Sequence, residues 1–139
     1  MHRHPVFVYG TLMPGHHNHA RCLQKRTTTE TRAVINEIGL YRSQFLPYAA
    51  PAPGRHTHGY LMTLPDDTYL QTMHVLDQLE GYRPQEPPTH SHYIRTIRPA
   101  HFTDPKTGQA QSLQAWIYLA GPDIDITALR PIPAGQWTN

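Results

Sequence analysis

Two segments of this sequence put chemistry-bearing residues where a fold can use them. In the first, Val6-Phe7-Val8-Tyr9 runs into Gly10-Thr11-Leu12 and on through Met13-Pro14-Gly15. An apolar strand that ends this way brings backbone amides out at the edge of the core. Gly10 has no Cβ, so a ligand can approach those amides closely. Successive N–H groups can hold a carboxylate or an oxyanion; the plainer reading is a strand followed by an ordinary turn. In the second segment, Leu76-Asp77-Gln78-Leu79-Glu80-Gly81-Tyr82, Glu80 shares the apolar side of a helix with Met73 and Leu76. Asp77 is set off from that side and is expected to be a bystander. A carboxylate on a core-facing stripe is costly unless it is paired or protonated, and burial raises its pKa toward the range in which a general acid–base works best. The alternative is a last-turn residue frayed into solvent.

Other residue types offer less. The eleven histidines occur as His2/His4, His16/His17/His19, His56/His58, His74, His90/His92 and His101. A His-x-His pair on a strand puts two imidazoles on one face, which can ligate zinc or copper. No His-Glu-x-x-His or paired-cysteine pattern accompanies them, so they read as a solvated population, with no metal and no cofactor expected. Cys22 is the only cysteine. It excludes an intrachain disulfide, fits a reducing cytoplasm, and has no fixed spacing to a base. Twelve Lys and Arg against ten Asp and Glu give a formal charge of +2, without the basic stripe of a nucleic-acid binder. No apolar run approaches the roughly 18 residues that span a bilayer, and the N-terminus lacks a signal-peptide core. The expected location is cytoplasmic.

The elements that must position the two segments are read from pattern. The 139 residues suit a single domain over 1–139. Fourteen prolines cluster at 47–53, 84–88 and 131–133, where long connections are expected. Residues 5–9 read as a buried strand, 16–24 as a short helix, 31–41 as a strand bent at Gly39, and 56–64 as a third strand. The spacing predicts a helix over 65–80. Pro65 and the acidic Asp66-Asp67 suit its first turn, Tyr69, Met73, Leu76 and Glu80 fall on one face, and Gly81 ends it. Strands at 91–98 and 112–119, joined across the turn-rich 104–108, form a hairpin. The order β, α, β, β, α, β, β predicts an α+β fold: a small mixed, mainly antiparallel sheet curled into a barrel, with helices at its flank.

Taken together, these segments resemble the γ-glutamylcyclotransferase family, in its short bacterial and AIG2-like branch. Val8-Tyr9-Gly10-Thr11-Leu12 with Gly15 resembles the family's substrate loop, and Leu76 to Tyr82 resembles the segment carrying its catalytic glutamate. Tyr93-Ile94-Arg95, Ala115-Trp116-Ile117-Tyr118 and Ile132-Pro133-Ala134-Gly135-Gln136-Trp137 resemble later segments, in the family's order. One departure is Tyr60, which follows Gly59 where relatives often carry an acid. The resemblance implies the family's barrel fold and cyclisation of a γ-glutamyl amide to 5-oxoproline, with release of an amine or amino acid. It implies Glu80 as general base and acid, and Tyr9, Gly10, Thr11 and Leu12 as the substrate loop. The hydroxyl of Tyr82 or Tyr118 is expected to hold the glutamyl group or to orient Glu80. The expected partner is a small γ-glutamyl molecule, bound by a monomer or homodimer. A γ-glutamylamine or γ-glutamyl-protected metabolite as substrate, and a ligand-binding module without turnover, stand as alternatives.

Overall fold

A computed structural model describes residues 3–138, so His2 of the His2/His4 pair lies outside the described residues. The chain forms β1 (Val6–Val8), α1 (His17–Cys22), β2 (Thr29–Arg42), β3 (Pro47–Thr63), α2 (Tyr69–Glu80), β4 (Tyr93–Thr103), β5 (Ala110–Ala120) and a short β6 (Arg130–Pro131). β1 pairs antiparallel with β3 and parallel with β5; β5 pairs with β4, β4 touches β2 at Val34–His101, and the long β2–β3 hairpin closes the ring. Five strands thus make a closed mixed barrel, and β6 extends the far end of β2. Val6, Phe7, Ile35, Leu61, Ala115 and Ile117 are buried in its core.

The stretch 47–53 is strand rather than connection. Pro47 pairs with Arg42 and Pro51 with Ile38, inside the β2–β3 ladder. A proline cannot donate to a ladder, but one on a strand with a free side does not have to. β1 pairs only with 60–62, which leaves the first half of β3 with such a side. The bend expected at Gly39 lies instead at Glu37, where 52–55 bulge out opposite a single residue. Glu37 (φ 63°) and Gly54 (φ 79°) take left-handed conformations, and the Gly54 amide donates to Glu37 Oε2 at 2.9 Å.

The helix over 65–80 begins with a 3-10 turn, Asp66–Thr68, before the α-helical Tyr69–Glu80. It buries Tyr69, Thr72, Met73 and Leu76 against the barrel. Gly81 ends it at φ 66°, with Tyr82 N–H donating to Asp77 O at 2.9 Å and Gly81 N–H to Gln78 O at 3.2 Å. This is a Schellman closure, and it needs a residue free to enter the left-handed region. The β4–β5 hairpin turns where expected, with Asp104 N–H donating to Gln109 O at 2.9 Å. Among the described residues no helix is long and apolar enough to cross a membrane.

Candidate active site

The loop after β1 is clamped by backbone crowding. A Cβ on Gly59 would overlap Val8 O and the Phe7 ring, and one on Gly10 would overlap Pro47 Cγ. Two glycines therefore let the end of β1 lie hard against β3. From the opposite side Tyr9 Oη donates to Tyr118 O at 2.6 Å, fully buried. α1 then holds the rest of the loop: Asn18 Nδ2 donates to Thr11 Oγ1 at 2.7 Å, and His19 N–H to Thr11 O at 3.2 Å. Met13 N–H donates to Gly10 O at 3.0 Å. Among the described residues no turn hydrogen bond engages the amides of Gly10, Thr11 or Leu12.

Glu80, the last residue of α2, meets this loop across a cavity of about 180 Å³ bounded by residues 7–12, Pro47, His92, Tyr93 and Tyr118. The sequence separation of some seventy residues is closed by α2 lying along the barrel and by its terminus being tied down. His92 N–H donates to Gly81 O at 3.1 Å, which fixes the end of the helix to the start of β4. Burial, and secondly the charge of Asp77, push Glu80 up to about 7 from the ordinary 4.5. A carboxyl so placed both accepts and donates a proton near neutral pH. Tyr93 and Tyr9 face it with hydroxyls that burial holds in the neutral form; the Tyr93 hydroxyl donates to Pro47 O at 2.6 Å. Among the described residues lining the cavity there is no Lys or Arg.

The other expected residues separate. Tyr118 borders the cavity, but its hydroxyl donates to Asp77 Oδ1 at 2.6 Å rather than to Glu80. Tyr82 lies outside the cavity, in a separate groove with Arg83 and Pro84, its ring 5.5 Å from the Arg95 guanidinium. Asp77 is no bystander: it is half-buried, bonded to Tyr118, and 3.5 Å from Arg95 Nη1. The helical wheel explains this. Position 77 falls only about 40° beyond Met73, still at the edge of the inward stripe. Tyr60 lies in a larger groove between β2 and β4, under the Arg32 guanidinium, away from Glu80. Cys22 is buried, which raises its thiol pKa and makes it a poor nucleophile.

Sequence reasoning missed Asn18, Pro47 and His92 as cavity residues. Only Asn18 carried a usable signal, through its place in the polar entry to α1. Pro47 opens a strand where the prolines predict a connection, and His92 lies in the turn just before β4, where its pattern points to no site. Tyr48 Oη lies 2.8 Å from His92 Nε2, so a further tyrosine braces this wall from behind. Among the described residues no three His, Cys, Asp or Glu side chains gather as a cation site.

Solved structures share this fold. They include an AIG2-like protein from Mus musculus (20% identity, covering 97% of this chain and 89% of that one, TM-score 0.71). An uncharacterised protein from Pyrococcus horikoshii (20% identity, 96% and 88%, TM-score 0.60) and protein ytfP from Escherichia coli (22% identity, 96% and 95%, TM-score 0.58) are also similar. No curated protein matches the sequence. The family model described as γ-glutamyl cyclotransferase, AIG2-like, matches residues 6–139. With that match, and with the barrel and its loop in place, the chain belongs to the AIG2-like γ-glutamyl cyclotransferase family.

Proposed function

We propose that this protein cyclises a γ-glutamyl amide to 5-oxoproline and releases an amine or amino acid. The observation that supports it is one small cavity bounded both by a carboxyl with a near-neutral pKa, Glu80, and by the loop 9–12. Ionised Glu80 takes a proton from the substrate's α-ammonium group. The freed amine attacks the γ-carbonyl carbon and forms the new C–N bond of a five-membered ring. Uncommitted amides at 10–12 receive the oxyanion and the α-carboxylate, in the manner of an oxyanion hole. The intermediate collapses by breaking the bond to the leaving nitrogen; Glu80 returns the first proton there and then relays the second, which the ring nitrogen must lose, so that the leaving group departs as an ammonium ion. Atoms balance without water, oxidant or a protein nucleophile. No metal is required, and dialysis against a strong chelator is expected to leave turnover intact.

Cavity size supports the same reading. About 180 Å³ falls below the roughly 300 Å³ at which pockets for drug-sized ligands begin, so it takes the glutamyl part alone. Confinement of that chain in its ring-closing shape lowers the barrier further. The leaving group then lies at the mouth, beside the half-exposed Leu46. The direct test is release of 5-oxoproline from a panel of γ-glutamyl amino acids and γ-glutamylamines. Release from any of them supports the proposal and identifies the leaving group. Saturable binding without release from the whole panel favours a ligand-binding module.

A further inference from the structure

Asp77 lies off the middle of the inward face by sequence spacing, yet its surroundings are built. It stands three positions before Glu80 on α2, so the two side chains are neighbours on one helix surface. Tyr118, only 2% exposed, donates to Asp77 Oδ1 at 2.6 Å. Arg95 approaches Oδ2 at 3.5 Å, with both side chains under one-fifth exposed. The guanidinium is itself stacked, 4.4 Å from the Trp116 ring and 5.5 Å from that of Tyr82, and its buried Nε has no protein partner. Arg95 is therefore held between two rings while it pairs with Asp77.

We propose that Asp77, hydrogen-bonded by Tyr118 and paired with Arg95, is a positioning residue whose negative charge adds to the proton affinity that burial gives Glu80. Two carboxylates close together in a partly desolvated place cannot both ionise cheaply, so one keeps its proton to higher pH. Burial is the largest influence on Asp77 and leaves its pKa raised, while the Tyr118 hydroxyl, Arg95 and His74 pull it back toward the ordinary carboxylate range. Glu80 has no such donor among the described residues and is the group that retains the proton. The other titratable groups facing Glu80 are Tyr9 from the loop, Cys22 from α1, His92 just before β4, Tyr93 from β4 and Tyr118 from β5. The tyrosines and the buried thiol stay neutral, and among the described residues Asp77 is the only carboxylate acting on Glu80. Tyr118 joins the two halves, since its ring borders the cavity while its hydroxyl fixes the second acid.

The inference rests on the role of Glu80 proposed above, and its test is chosen to separate the two. Carboxyl titration by ¹³C NMR, with labelled glutamate, reads Glu80 directly in the substrate-free protein; the chain has only Glu30, Glu37 and Glu86 besides. Asp77→Asn should shift the Glu80 midpoint down from about 7 toward the ordinary range, and the acid limb of kcat/KM should shift with it. Asp77→Ser, equally neutral, provides a second variant in case the amide fits poorly. A purely structural role would lower turnover at every pH and leave the midpoint in place. A midpoint unmoved in a folded variant overturns the proposal, and so does failure of both variants to fold. A shifted midpoint in a protein that releases no 5-oxoproline would sustain the role of Asp77 and remove the proposed reaction.

Discussion

Gly10 and Pro47 face each other with no room between them: any side chain at 10 would overlap Pro47 Cγ. Pro47 is buried at the first position of β3, so it cannot swing aside as an exposed side chain would. Gly10→Ala must therefore move the loop, or β3, or both. Overpacking of this kind costs about 1–3 kcal/mol. Substrate affinity and turnover should both fall, because the displaced amides are those assigned to the α-carboxylate and the oxyanion. Thermal melts and steady-state kinetics measure both, and wild-type values in each would mean that the tight contact has no role in holding the loop.

The Tyr9 hydroxyl ties the same loop to the opposite wall through Tyr118 O at 2.6 Å. Tyr9→Phe keeps the ring and strands a buried carbonyl, at a cost of about 1–3 kcal/mol. The denaturant midpoint should drop with little change in the slope of the transition. An unchanged midpoint would imply that water replaces the hydroxyl.

Much of this arrangement is legible in the sequence, and the gaps have physical causes. β1 and its exit at Gly10 announce themselves because a short apolar run stopped by glycine has few other readings. α2 is equally plain, with Pro65 before its start, Tyr69, Met73 and Leu76 on its buried face and Gly81 at its end. The first half of β3 is not, since Pro47, Pro51 and Pro53 argue against a strand unless one knows that one side of it is unpaired. Nor is the place of the bend, because Glu37 enters the left-handed region only with Gly54 as its partner across the ladder. Glu80 is legible as a carboxylate on an apolar helix face. The surroundings of Asp77 are not, because its partners, Tyr118 and Arg95, come from strands far along the chain.

Tyr82 provides a negative control drawn from the geometry. It sits outside the cavity and packs on Arg95. Tyr82→Phe keeps that ring contact and should leave KM and kcat within about twofold of wild type, the range of a surface change of roughly 0.5 kcal/mol. A tenfold rise in KM would bring its hydroxyl back to the substrate.

The Glu80 carboxyl also makes stability depend on pH in a definite direction. Its folded pKa of about 7 exceeds the ordinary 4.5, so the folded state binds the proton more tightly than the unfolded chain. That contribution is fully present below about pH 4.5 and is lost as pH rises through about 7. Glu80→Gln has no charge to bury, so its stability relative to wild type should improve between pH 5 and pH 8. The gain should be on the order of 1–3 kcal/mol. Melting temperatures of the two proteins across that range give the comparison, and parallel curves would mean that Glu80 titrates normally.

The measurement that bears most directly on the proposed chemistry is 5-oxoproline release by Glu80→Gln on whichever γ-glutamyl compound the wild type turns over. Glutamine preserves size and much of the hydrogen bonding but accepts no proton at neutral pH. A positioned acid–base group contributes roughly 10²–10⁴-fold, so kcat should fall by about that much while KM changes little and the protein stays folded. Wild-type kcat/KM should rise with pH through about 7, the midpoint of Glu80, and the residual activity of the variant should lack that step. A folded Glu80→Gln that releases 5-oxoproline at the wild-type rate, with the pH step intact, would contradict the assignment of Glu80 as the proton carrier.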